Sequence, residues 1–185
     1  MGNVIDYLIQ YGDQAFAERA FCDVDVLILA QLSYFDFGSA VPTIAQHKKS
    51  VTLEEIDRTA DLSAVFADKW YGENNRKLWN ALLAGRRFRT MRCNYYRERM
   101  EEEQEAQFGA VTFFPEGCEP VVAFRGTDDS VVGWKEDFNM AFLPVIPSQA
   151  DAADYVTKLG KGFPGKLLLM GHSKGGNLAA YAGMF

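Results

Sequence analysis

The run Lys166-Leu167-Leu168-Leu169-Met170-Gly171-His172-Ser173-Lys174-Gly175 constrains this chain more than any other stretch. A short apolar segment, entered from Pro164-Gly165, leads to a serine with glycine two places before it and two places after it. Helix formers follow at once, in Asn177-Leu178-Ala179-Ala180-Tyr181-Ala182. The order reads as a buried parallel strand that turns sharply into a helix, with Ser173 on the turn. Side chains at 171 and 175 would collide across so tight a bend, which is why glycine stands there. The new helix points its first amides toward the serine, where they favour negative charge.

G-x-S-x-G in this setting is the nucleophile-elbow pattern of the α/β-hydrolase fold. The competing reading is a generic glycine-rich turn, such as a phosphate loop. A Walker loop requires G-x-x-x-x-G-K-[ST], and Gly165-Lys166 is followed by leucine. The dinucleotide pattern G-x-G-x-x-G is also absent, so no cofactor is expected. A second stretch converges on the first. Pro120-Val121-Val122-Ala123-Phe124 is an apolar β run that opens into Arg125-Gly126-Thr127-Asp128-Asp129. A serine hydrolase takes one oxyanion donor from the amide after the nucleophile and another from a loop following an early strand. Lys174 would give the first. Thr127 would give the second, through its backbone N–H and, as a further option, its hydroxyl. Taken alone, Gly-Thr-Asp-Asp reads better as a polar turn that ends the strand.

Together, Phe124-Arg125-Gly126-Thr127 and Gly171-His172-Ser173-Lys174-Gly175-Gly176 resemble the paired F-R-G-[ST] and G-H-S-x-G-G motifs of class 3 lipases. The chain is most similar to an uncharacterised bacterial lipase-like family related to them. Asn3-Val4-Ile5-Asp6-Tyr7-Leu8, Leu27 to Tyr34 and Val132 to Met140 extend the resemblance nearly end to end. It implies an α/β-hydrolase acting on an acyl ester or lipid, with Ser173 as nucleophile and Thr127 and Lys174 as oxyanion donors. Gly171, His172, Gly175, Arg125, Gly126 and Asp137 would support them. It also implies a triad aspartate and histidine beyond Phe185.

The chain has two histidines. His172 adjoins Ser173 on a tight turn, where neighbouring side chains point apart. His47 lies in the polar stretch Ile44 to Ser50 beside two lysines, as a solvated loop residue would. A serine hydroxyl without a base is a poor nucleophile, so this chain alone is expected to be inactive or nearly so. A non-catalytic hydrolase-fold module, used for binding or assembly, is the alternative. A strand ending at the elbow would also leave one side open to self-association or to pairing with a C-terminal fragment.

Bulk properties narrow the surroundings. At 185 residues, with 48% apolar and 14% aromatic residues, the chain can bury a core as one domain. Its net charge of −6 argues against nucleic acid as a partner. Glu101-Glu102-Glu103-Gln104-Glu105 and Arg86-Arg87-Phe88-Arg89 read as solvated faces. Cys22, Cys93 and Cys118 are odd in number and lack metal spacing, as free thiols in a reducing compartment would. No leader or membrane-length run is legible, and the apolar stretch Val24 to Leu32 carries Asp25. A bacterial cytoplasmic location is the simplest expectation.

The expected architecture is a truncated α/β-hydrolase: a mixed sheet flanked by helices, with a helical N-terminal layer. Residues 1–185 form one incomplete domain, in which 1–85 are mainly helical and 86–185 carry the sheet, the oxyanion loop and the elbow. Helices are predicted over Asn3 to Tyr11 and Val24 to Leu32, with a strand as the alternative for the second because of its β-branched residues. Another should run from the Thr52-Leu53-Glu54-Glu55 capping box toward Asp68, and a fourth over Asn74 to Leu83, stopped by Gly85. Thr90 to Arg99, Gln107 to Phe114 and Pro120 to Phe124 read as strands, the last two joined by a five-residue turn. Ala150 to Gly160 is predicted helical. In Trp134 to Asn139, the tryptophan is expected to anchor a surface loop to the core. Asp137 would hold the oxyanion loop by accepting backbone N–H bonds or by pairing with Arg125, without being catalytic.

Overall fold

The protein is described by a computed structural model over residues 2–69, 71–163 and 165–184. Pro164, placed above at the strand entrance, and Phe185 lie outside the described residues. In chain order the elements are α1 (Val4–Tyr11), α2 (Asp23–Leu32), β1 (Val51–Thr52), α3 (Leu53–Thr59), α4 (Leu62–Val65), α5 (Gly72–Ala84), α6 (Arg86–Arg89), β2 (Arg92–Glu101), β3 (Ala106–Phe114), β4 (Val121–Phe124), α7 (Val131–Asn139), α8 (Pro147–Gly160), β5 (Leu168–Gly171) and α9 (Lys174–Ala182). The five strands form one mixed α/β sheet in the order β1-β2-β3-β4-β5. β1 pairs antiparallel with β2, and β4 pairs parallel with β5.

Local chemistry explains most boundaries. Asn3 accepts the amides of Ile5 and Asp6 at 2.8 and 3.1 Å, and Asp6 accepts the Asn3 amide in return, closing a capping box at α1. Thr52 and Glu55 do the same for α3. The helix predicted to continue toward Asp68 ends at Thr59 instead. Ala60 turns extended, and Asp61 starts a new turn, α4, by accepting the Ser63 amide at 3.0 Å. α8 begins earlier than predicted, at Pro147, whose missing N–H and fixed φ suit a first helical turn. The 131–139 segment, expected to be a loop, is α7, capped by the Ser130 hydroxyl on the Gly133 amide at 3.0 Å.

Packing divides the chain into two compact units that interleave along the sequence. The first comprises Met1–Leu29, Phe35–Tyr96 and Phe113–Cys118. Its centre is aromatic: Phe35, Phe37, Phe66 and Trp79 meet with ring centroids 5.4–6.4 Å apart. The same unit holds a buried ion pair. Arg87 Nη2 reaches Asp25 Oδ2 at 2.5 Å with both side chains fully buried. Tyr7 and the Cys22 amide donate to the same carboxylate, and the carbonyls of Gln14, Arg19 and Ala20 accept the remaining guanidinium protons. Arg87 therefore corrects the expectation that the 86–89 run is a solvated face. A guanidinium this far from water persists because every donor has an acceptor.

The second unit comprises Ala30–Tyr34, Arg97–Thr112 and Glu119–Phe185. Phe108, Phe124 and Tyr155 fill its core. β5 departs from the buried strand expected of it. Leu168 is 42% exposed, and Met170 is the strand's one buried residue. The cause is its position: among the described residues β5 lies at the end of the strand order, with β4 as its neighbour. Among the described residues no helix is long and apolar enough to cross a membrane.

Candidate active site

Parallel pairing of β4 with β5 places the two motifs together. The register runs Val121 with Leu168, Val122 with Leu169, Ala123 with Met170 and Phe124 with Gly171. Both strands thus end at the same level, and Arg125-Gly126-Thr127 leaves the sheet beside His172-Ser173. The crevice outside the carboxyl ends of parallel strands is where open α/β sheets bind ligands.

Ser173 occupies φ 56, ψ −127, a conformation that non-glycine residues rarely adopt. Holding it costs of order 1–3 kcal/mol, which the surrounding structure must offset. The residue precedes α9, makes no side-chain cap, and is exposed. The glycines around it allow backbone approaches that a methyl would block. A Cβ on Gly171 would lie 2.3 Å from the Gly175 carbonyl carbon, and one on Gly175 would lie 2.2 Å from the Phe124 carbonyl oxygen. Gly126 packs equally close: its Cβ would lie 2.2 Å from Tyr34 Oη and 2.5 Å from the His172 carbonyl oxygen. The elbow and the 124–127 loop therefore touch backbone to backbone.

The Lys174 amide is the first of α9, and such amides have no acceptor within their own helix. First-turn amides of this kind are suited to meet an anion. Thr127 donates its hydroxyl to Asp137 Oδ2 at 2.6 Å. That proton is committed, so the backbone N–H is what Thr127 can offer. Asp137 accepts this hydroxyl rather than the backbone amides or arginine expected of it. Its other oxygen, Oδ1, is buried and has no hydrogen-bond partner among the described residues. Arg125 instead donates to the Ser33 carbonyl at 2.9 Å and pairs with Glu98. Through these bonds it braces the loop.

His172 is tied to Tyr34. Its Nδ1 lies 3.2 Å from Tyr34 Oη, and the ring is exposed. Burial raises the pKa of Tyr34, so the phenol is neutral near pH 7 and can donate to the imidazole. Tyr34 also fills the space beside Gly126, so one side chain ties the loop to the elbow. Sequence reading placed Tyr34 in a family-like segment and gave it no role. Nothing in the local pattern could have supplied one, since its partner lies 138 residues away.

The Lys174 side chain turns away from the surface. Nζ donates to the Gln107 carbonyl at 2.9 Å, to Gln107 Oε1 at 2.8 Å and to Glu136 Oε2 at 2.7 Å, with lysine and glutamate both fully buried. Glu136 also accepts the amides of Gln107 and Ser148 at 3.0 and 2.9 Å. Sequence reading missed Glu136 and Gln107. The available signal was the lysine itself. The first turn of a helix behind an elbow packs inward, and a charge there requires a partner.

On the outer side of α7 an apolar surface adjoins the loop. Trp134 is 61% and Phe138 69% exposed, with Val131 and Phe142 exposed along the same stretch. This overturns the expectation that Trp134 anchors a loop to the core. It stands on a helix and faces solvent, where with Phe138 and Asp137 it lines a cavity of about 260 Å³.

A family model described as Mbeg1-like matches residues 82–185, more than half of the chain and inclusive of both motifs. The chain belongs to the Mbeg1-like family. No curated protein and no solved structure matches it. Within the Mbeg1-like region lie Ser173, Thr127, Lys174, Glu136 and Asp137; Tyr34 comes from outside it.

Proposed function

We propose that this Mbeg1-like chain carries the nucleophile and oxyanion hole of a serine ester hydrolase of the α/β-hydrolase type. The observation that carries this reading is the parallel register joining Phe124 to Gly171, with Ser173 at φ 56 beyond it. On this reading the Thr127 and Lys174 amides would serve the carbonyl that this one exposed serine attacks. Ser173 Oγ would attack the ester carbonyl and pass its proton to a base. The carbonyl electrons would move onto the oxygen between the two amides, where preorganised donors act most strongly. Collapse would expel the alcohol with that proton, and water would release the acid from the acyl-serine. The exposed Val131, Trp134 and Phe138 beside Thr127 favour an apolar acyl group, as a lipid-like substrate has.

The base is assigned to groups outside these 185 residues. His172 is engaged by Tyr34, and the three protons of the Lys174 ammonium are all donated. His47 is exposed. The absence of a base from these groups also favours a second reading, a non-catalytic module that keeps the hydrolase geometry for binding. A fluorophosphonate probe on the full natural chain separates the two. Labelling that Ser173→Ala abolishes supports the enzyme. No labelling above the Ser173→Ala background favours the module. Labelling that Ser173→Ala leaves intact shows that the nucleophile is elsewhere.

A further inference from the structure

The Glu136–Lys174 pair is an expensive way to fill a core. Replacing a buried ion pair with well-packed apolar side chains is often neutral or stabilising, so stability alone does not account for it. Its geometry points to another role. Lys174 is the residue whose backbone amide opens α9, and its ammonium is held by three acceptors. Glu136 is fixed in its own right by the Gln107 amide on β3 and the Ser148 amide in the first turn of α8. The cluster thus spans four elements and converges on the first residue of α9.

α7 has a second grip on the same site. Glu136 holds Lys174, and its neighbour Asp137 holds Thr127. Gly133 lets the helix come close enough for both: its Cβ would stand 3.0 Å from Thr127 Cγ2 and 3.1 Å from Gln107 Oε1. Two consecutive residues of one helix therefore hold the two residues whose amides form the proposed hole. We propose that Glu136, through its ion pair with Lys174, is a positioning residue that sets the α9 N-terminus and with it the Lys174 amide. The inference rests on the hydrolase reading for its catalytic meaning, though the coupling itself does not.

The test compares Glu136→Gln, Lys174→Met and the double variant Glu136→Gln/Lys174→Met in the full natural chain. Each single variant strands one buried charged or polar partner and is expected to lower the melting temperature. The double variant leaves no buried charge and is expected to recover most of that loss. Two further readouts separate positioning from stability. The rate of fluorophosphonate labelling at Ser173 should stay about 100-fold below the parent in the double variant, since misplacement by about 1 Å costs that much. Hydrogen exchange across residues 171–177 should stay at least about tenfold faster, while the 24–32 segment exchanges as in the parent. A double variant that regains both parental labelling and parental exchange overturns the proposal. If the parent itself does not label, the hydrolase reading fails, and exchange alone decides the coupling: parental exchange at 171–177 in the double variant overturns it, and fast exchange supports it.

Discussion

Gly126→Ala tests the contact on which the site depends. The added methyl would lie 2.2 Å from Tyr34 Oη and 2.5 Å from the His172 carbonyl oxygen, against an ordinary contact of at least 3.4 Å. Tyr34 Oη is the end of a side chain and can swing away, though doing so breaks its bond to His172 Nδ1. The His172 carbonyl cannot swing. It belongs to the backbone one residue before Ser173 and already accepts the Gly175 amide at 2.9 Å. The elbow or the loop must therefore move by roughly 1 Å. Overpacking of this kind costs about 1–3 kcal/mol. For a chain of this size that is a melting-temperature loss of about 2–12 °C. A displacement of about 1 Å beside the nucleophile should also slow fluorophosphonate labelling of Ser173 about 100-fold. Thermal melts monitored by circular dichroism and timed labelling of the full natural chain measure both. Adding Tyr34→Phe removes the nearer clash and should restore stability in part while labelling stays slow. Parental melting and parental labelling in Gly126→Ala would refute the claimed contact between loop and elbow.

Other expectations follow from individual groups. Arg87→Met strands Asp25 in the first unit without its cation and should cost about 3–5 kcal/mol, read as a shifted denaturant midpoint; a midpoint within error of the parent would contradict the pairing. Asp137→Ala should free the Thr127 hydroxyl and slow labelling of Ser173, with Asp137→Asn milder because its carbonyl oxygen can still accept; equal rates in all three proteins would remove Asp137 from the site. Burial raises Tyr7 to about 12, and burial also pushes the Cys93 thiol up. Above the unfolded-state values the unfolded chain gives up these protons first, so the native state holds more of them and stability falls as pH rises. Denaturant midpoints should therefore be level near pH 8 and decline between about pH 9 and 12, and Tyr7→Phe should flatten the upper part of that decline; an unchanged slope in Tyr7→Phe would sink the assignment. On the hydrolase reading, Phe138→Glu in the full natural chain should weaken use of long-chain esters far more than short-chain ones, seen as a selective rise in KM, and equal effects on both would remove the apolar face from substrate binding.

The elements written in local chemistry were legible in the sequence. Asn3, Thr52 and Gly85 mark helix ends because a cap needs only its neighbours within a few residues. The elbow was legible for the same reason: two glycines, a serine and an apolar run describe a turn whose crowding is local. The prediction of one long helix after Thr52 failed where Asp61 offered a competing cap. The 131–139 helix went unrecognised because its apolar residues, Val131, Trp134 and Phe138, face solvent rather than a core.

Sequence alone settled the residue types of the candidate site: a serine between glycines, a Gly-Thr loop after a strand, and a lysine following the serine. It could not show that Phe124 and Gly171 pair, because strand register is decided between segments 47 positions apart. Nor could it show that Tyr34 bridges Gly126 and His172, that Arg87 is buried on Asp25, or that Lys174 turns inward to Glu136. Each of these depends on a partner brought near by folding. A charged side chain has no fixed meaning until burial removes water and leaves a neighbour to replace it. Tertiary structure thus turned three sequence motifs into one place, with the elbow resting on a lysine that its own helix could not explain.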